Sequence, residues 1–125
     1  MSGQLATLGS AIRSERDDVT DEHVVVISTT DSAESAAELA KAIVDARLAA
    51  CVQVSSPIRS VYRWDGVVQD DQEWQLWIKS ARDRLDELTA FIKANHSYDT
   101  PEVVALPIVG GNPDYLKWIT DETRG

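Results

Sequence analysis

The chain has a single cysteine, Cys51, in 125 residues. One thiol excludes an internal disulfide framework and a cysteine-based zinc site, and it fits a reducing, cytoplasmic setting. Basic residues are also scarce: 12 lysines and arginines stand against 21 aspartates and glutamates, for a net charge of −9. Phosphate backbones would repel such a surface, which argues against nucleic acid as a partner. No apolar run is long enough to span a bilayer, so no membrane association is expected. Residues 1–22 lack the apolar core of a signal peptide: Leu5, Leu8 and Ile12 are scattered and soon interrupted by Arg13, Glu15 and Arg16. That pattern predicts a flexible tail over 1–22, followed by one domain over 23–125. No nucleophile motif, phosphate-cradling glycine loop or paired-histidine metal motif occurs, and Gly110-Gly111 reads as a chain turn.

What is present is a long hairpin over residues 50–79, folded at Asp65-Gly66. Asp-Gly between alternating arms favours a two-residue turn in which both positions take φ > 0. On the outgoing arm Ala50, Val52 and Val54 share a face, and Ile58, Ser60, Tyr62 and Trp64 alternate beyond a break at Pro57. On the return arm Trp74, Leu76 and Ile78 face one way, and Glu73, Gln75, Trp77 and Lys79 the other. Arms of about 14 residues reach roughly 45 Å. A globule of about 100 residues is only about 33 Å across. The hairpin therefore projects beyond its own domain with Tyr62 and Trp64 near its tip, where another chain must cover them. Tyr62, Trp64, Trp74 and Trp77 are read as interface anchors rather than a base-stacking platform.

The other elements follow from periodicity. Val24–Ile27 is a continuous apolar run suited to a central strand. Asp31 and Glu34 have capping-box spacing ahead of a helix over 32–47, whose apolar stripe is Ala36, Leu39, Ala40, Ile43, Val44 and Leu48. Ser80 or a neighbour caps a second helix over 82–95, with Leu85, Leu88, Phe91 and Ile92 inward. Residues 103–108 form the last strand, and Asn112-Pro113 opens a terminal helix with proline at its first position. The order β-α-β-β-α-β plus a helix predicts an α+β, ferredoxin-like fold: an antiparallel sheet with both main helices on one face. The opposite face, left without a helix, is expected to be buried against other copies of the chain.

Several residues have two readings. His96, directly after the second helix, is placed either to cap that helix or to act as a metal ligand or proton carrier. Tyr98 and Glu102 flank it across a turn stiffened by Pro101. Lys79 either pairs across the sheet or clamps an anion at a cleft beside His96 and Tyr98, and together Lys79, His96, Tyr98 and Glu102 form the candidate ligand-binding set. Arg59 and Arg63 lie on the other hairpin face from Tyr62 and Trp64. Cys51 reads as a buried, inert thiol, and Asp70, Asp71 and Glu73 as solvated loop carboxylates, a weak cation site at best.

Ala46–Cys51, Tyr62–Gly66, Glu73 with Lys79, His96–Glu102 and Tyr115–Trp118, in this order and spacing, resemble the CutA divalent-cation tolerance family over residues 23–122. The resemblance implies a ferredoxin-like homotrimer whose sheets pack about an axis and whose hairpins pair between subunits. It also implies a cation-response role without catalysis, with copper or another divalent ion as the implied metal. The copper site proposed for the family uses a cysteine at the end of the first strand and two adjacent histidines. The matching positions here are Ser28, Asn95 and His96. A hydroxyl and an amide are poor copper ligands, which leaves His96 alone. The family's His-Pro-Tyr-Glu turn also carries Ser97 and Asp99 in place of proline and glutamate. The alternative function is a sensor of a small molecule or anion in clefts between subunits, by analogy with other trimeric ferredoxin-like signalling proteins. A third, enzymatic reading would use His96 or Tyr98 in acid–base work on a small anion. If the hairpin tip is an interface, Trp64→Ala is expected to dissociate the trimer on gel filtration at nanomolar concentration. A variant that stays fully trimeric there contradicts that reading.

Overall fold

Alternation along two neighbouring strands sets the layers. In the computed structural model, which describes residues 22–124, strand β1 (His23–Thr30) pairs antiparallel along its whole length with strand β4 (Val67–Ala81). Val24 and Val26 of β1 and Leu76 and Ile78 of β4 turn to one face and are fully or almost fully buried. Over them lie helix α1 (Ala33–Asp45), through Ala36, Leu39 and Ile43, and helix α2 (Leu85–Ala94), through Leu88 and Ile92. Two helices on one face of an antiparallel sheet is the expected α+β layering. The tail expected over 1–22 falls, but for Glu22, outside the described residues.

The remaining strands are β2 (Cys51–Val54), β3 (Ile58–Trp64) and β5 (Val104–Pro107). The sheet order is β2-β4-β1-β5, with β3 paired to the outer part of β4. Asp65 at φ 56° and Gly66 at φ 79° make the expected turn, between the paired residues Trp64 and Val67. The break at Pro57 has a structural consequence. Ser55 still bonds Gln75, donating its N–H to the Gln75 carbonyl at 2.9 Å, whereas Ile58 is already opposite Glu73. The outgoing arm thus carries one extra residue, as in a β-bulge, and its side-chain parity shifts there. Ile58, Ser60, Tyr62 and Trp64 thereby share a face with Glu73, Gln75, Trp77 and Lys79.

Several local expectations are corrected. The α1 cap is Ser32, one residue after Asp31: its hydroxyl accepts the Ser35 N–H at 3.0 Å. Ser32 has the extended backbone that a cap needs, and Asp31 only receives a long bond from the Ser35 hydroxyl. Ser80 caps nothing; it ends the core face of β4 and donates to the Leu48 carbonyl at 2.7 Å. A short 3₁₀ turn, Arg82–Arg84, leads into α2 instead. Asp70 and Asp71 are strand residues, not loop residues. Asp70 accepts from Arg59 Nε and Nη2 at 2.7 and 2.8 Å, and Asp71 accepts from the Tyr62 hydroxyl at 2.6 Å. Cys51 is half-buried on the face away from the helices, opposite Lys79. Trp74 turns to the helix side and packs on the core of its own chain.

The face opposite α1 and α2 is not bare. Helix α3 (Pro113–Glu122), capped by Asn112 and begun by Pro113 as expected, covers one end of it. His23 Nε2 and the Thr120 hydroxyl stand 2.8 Å apart, and Lys79 Nζ lies 5.9 Å from the Tyr115 ring centre. Elsewhere on that face an apolar patch is open: Trp77, Val104 and Leu106 remain 38%, 47% and 44% exposed.

Candidate functional site

Beyond Thr30 strand β1 stops, while β4 runs on with β3 alone. The loop from α2 to β5 crosses this step. Asn95, not His96, closes α2: its side-chain amide donates to the Phe91 carbonyl at 2.8 Å. An amide at that position reaches back one turn, which leaves the imidazole free to point elsewhere. His96 Nε2 lies 2.7 Å from the Thr29 carbonyl, and the Tyr98 N–H donates to Nδ1 at 3.0 Å. A carbonyl only accepts, so the ring carries its proton on Nε2 and offers its lone pair at Nδ1 to Tyr98. The ring also packs on Tyr98, with centres 4.7 Å apart. His96 thereby fastens the loop to the end of β1 and orients the tyrosine.

Tyr98 then reaches β4, donating its phenol to Glu73 Oε2 at 2.8 Å. Glu73 is only 7% exposed. The same face of the hairpin supplies Ser60, Tyr62 and Trp64, and the far side of the loop supplies Asp99, Pro101 and Glu102. These enclose a groove of about 680 Å³ floored by Thr29 and Glu73. Among the described residues the lining contains the carboxylates Glu73, Asp99 and Glu102, the rings Tyr62, Trp64 and Tyr98, and no basic side chain. Arg59 is held on the other hairpin face by Asp70, and Arg63 shares that face.

The electrostatics follow from this enclosure. Burial, then the hydrogen bond to Glu73, raises the Tyr98 phenol well above the ordinary tyrosine range. Partial burial, then the charge of Glu73, raises the Glu102 carboxyl above the usual glutamate value. Tyr98 and Glu102 both line the groove.

Of the four candidate binding residues, the structure brings together His96, Tyr98 and Glu102. Lys79 stands apart. It lies six positions along β4 from Glu73, roughly 20 Å at strand rise, and donates to Gln53 Oε1 at 2.6 Å. Lys79 thus makes a cross-strand contact with β2, to an amide rather than to a carboxylate, and the clamp beside His96 does not form within one chain. Glu73 is the groove residue whose part sequence reasoning missed. The signal was available: a carboxylate on the alternating face that the hairpin shares with Tyr62.

A copper centre does not fit the matching positions. Ser28 is fully buried on the core face of β1, its hydroxyl without a partner. Asn95 caps α2, and both His96 nitrogens are engaged. Among the described residues no group of three or more His, Cys, Asp or Glu side chains is disposed to hold a metal ion.

A folded-state pKa raised above the unfolded one means that the carboxylate form of Glu102 opposes folding. That opposition is absent at low pH and grows as pH rises through and above the usual glutamate range. Glu102→Gln is therefore expected to raise the urea midpoint at about pH 7 but not at about pH 4. An equal shift at both values would show that the raised pKa has no part in it.

Comparison with known proteins agrees with this architecture. Residues 24–122 match the family described as CutA1 divalent ion tolerance protein. The chain is 46% identical over 115 residues to "Protein CutA, chloroplastic" of Arabidopsis thaliana, covering 92% of this chain and 63% of that protein. It thus spans just under two thirds of the plant relative's length. It is also 46% identical over 99 residues to "Divalent-cation tolerance protein CutA" of Thermus thermophilus, covering 79% of this chain and 96% of that one. The crystal structure of CutA1 from Oryza sativa superposes with a TM-score of 0.80 at 48% identity, over 85% of this chain and 97% of that one. By sequence match and by shared fold, the chain belongs to the CutA1 divalent ion tolerance protein family.

Proposed function

We propose that this chain is a homotrimeric binding protein of the divalent-cation response, cytoplasmic and without catalysis of its own, and that it takes its ligand in the groove between the hairpin and the loop after α2. The observation that carries this reading is Glu73. Among the described residues it is a carboxylate 7% exposed, held by one phenol, at the floor of a groove without a basic side chain. A buried carboxylate so placed lacks a counter-charge, and a cationic ligand would supply one. The name of the Thermus relative supports the cation-response role. The open apolar patch of Trp77, Val104 and Leu106, with the projecting hairpin, supports a ferredoxin-like trimer with sheets packed about an axis. The engagement of both His96 nitrogens supports a binding role over acid–base catalysis.

The second reading, a small-molecule sensor at subunit clefts, draws support from Tyr62 and Trp64. They line the groove and also form the flank offered to a neighbour, so occupancy and assembly would be coupled. The anion version of that sensor would have to use Lys79 at the other end of the sheet, since the groove is acidic.

Calorimetric titration of Cu²⁺ into the protein, beside His96→Ala, tests where cations act. The expected result is weak, salt-sensitive heat that is the same in both proteins. Saturable binding near one ion per chain, lost in the variant, would restore a copper centre at His96.

A further inference from the structure

The chemistry of the groove narrows its ligand, on the reading above that the groove is a binding site. Its floor has two buried polar groups with capacity to spare. Among the described residues Glu73 accepts only the Tyr98 phenol, on Oε2. The Thr29 side chain, on a residue 5% exposed, makes no hydrogen bond among the described residues; His96 uses only the Thr29 backbone carbonyl. Glu102 stands at the rim, partly buried and within reach of the Glu73 charge. Above them are the rings of Tyr62 and Tyr98, with Trp64 toward the hairpin tip. The floor thus offers acceptors converging from two strands, and the walls offer π faces.

We propose that the groove binds an organic ammonium: a protonated amine with an apolar body. The ammonium head, which has N–H donors and no acceptor, bonds Glu73 Oε1, the Thr29 hydroxyl and Glu102. The apolar body lies on Tyr62, and the positive charge is further favoured by the ring faces. A hard divalent ion is a poorer match. Such ions take six or more oxygens, whereas here one Glu73 oxygen is occupied and, among the described residues, no three-carboxylate group is disposed around a point. Anions are repelled by all three lining carboxylates.

The test is a titration followed by amide-resolved NMR on the full chain, using benzylammonium chloride, benzyl alcohol, sodium benzoate and magnesium chloride in turn. Benzylammonium is expected to shift the Thr29, Glu73, Tyr98 and Glu102 signals saturably, while the other three leave them in place. Glu102→Gln, at the rim and safe for folding, is expected to weaken benzylammonium binding roughly tenfold, the scale of one charge-assisted hydrogen bond. Glu73→Gln should weaken it at least as much. Benzyl alcohol or benzoate binding as tightly as benzylammonium would leave the groove a ligand site but overturn its preference for ammonium. Saturable Mg²⁺ binding sensitive to Glu102→Gln, without ammonium binding, would overturn it in favour of a metal. If no probe moves these signals, the groove reading itself fails.

Discussion

Strand β4 is the member on which the other elements depend. Its 15 residues pair with β1 and β2 over one half and with β3 over the other. The same alternation that buries Leu76 and Ile78 beneath the helices therefore places Glu73, Gln75, Trp77 and Lys79 on the opposite face. A one-residue slip would exchange these sets and put a carboxylate in the core. The register is fixed by that cost and by the Asp65-Gly66 turn. The extra residue near Pro57 then brings Tyr62 and Trp64 onto the Glu73 face, and without it the hairpin would give the groove no aromatic wall.

Most of this was legible in the sequence because it rests on periodicity and on turn chemistry. The hairpin, its turn, the two helices, the terminal helix after Asn112-Pro113 and the α+β layering all follow from residue patterns that local physics reads directly. The errors fall where several nearby groups could do the same job. Asp31 and Ser32 both suit an N-cap, and the backbone at Ser32 decides. Asn95 and His96 both suit the end of α2, and the shorter amide takes it. Ser80 is drawn into β4 because its hydroxyl finds the Leu48 carbonyl. Cys51 had an apolar neighbourhood in sequence but lies on the outer face, since β2 alternates and Val52 takes the inner place.

The site was legible in part. His96, Tyr98 and Glu102 could be grouped because they are close in the chain. Their partner on β4 lies more than 20 positions earlier, and only the tertiary fold decides that Glu73, rather than Lys79, meets the loop. The role of His96 also changed. Its two bonds hold the loop over the end of β1, so it supports the groove without a nitrogen to spare for a metal. Here the ring is a fastener for Tyr98.

The account therefore turns on the Tyr98–Glu73 bond, which joins the loop to the hairpin and sets the floor of the groove. A double-mutant cycle in urea with Tyr98→Phe, Glu73→Gln and the pair measures it most directly. A coupling of about 1.5–3 kcal/mol is the predicted result, as for a hydrogen bond to a charged group removed from water. Additive effects, agreeing within about 0.5 kcal/mol, would show that the loop is held by other contacts and would contradict the account.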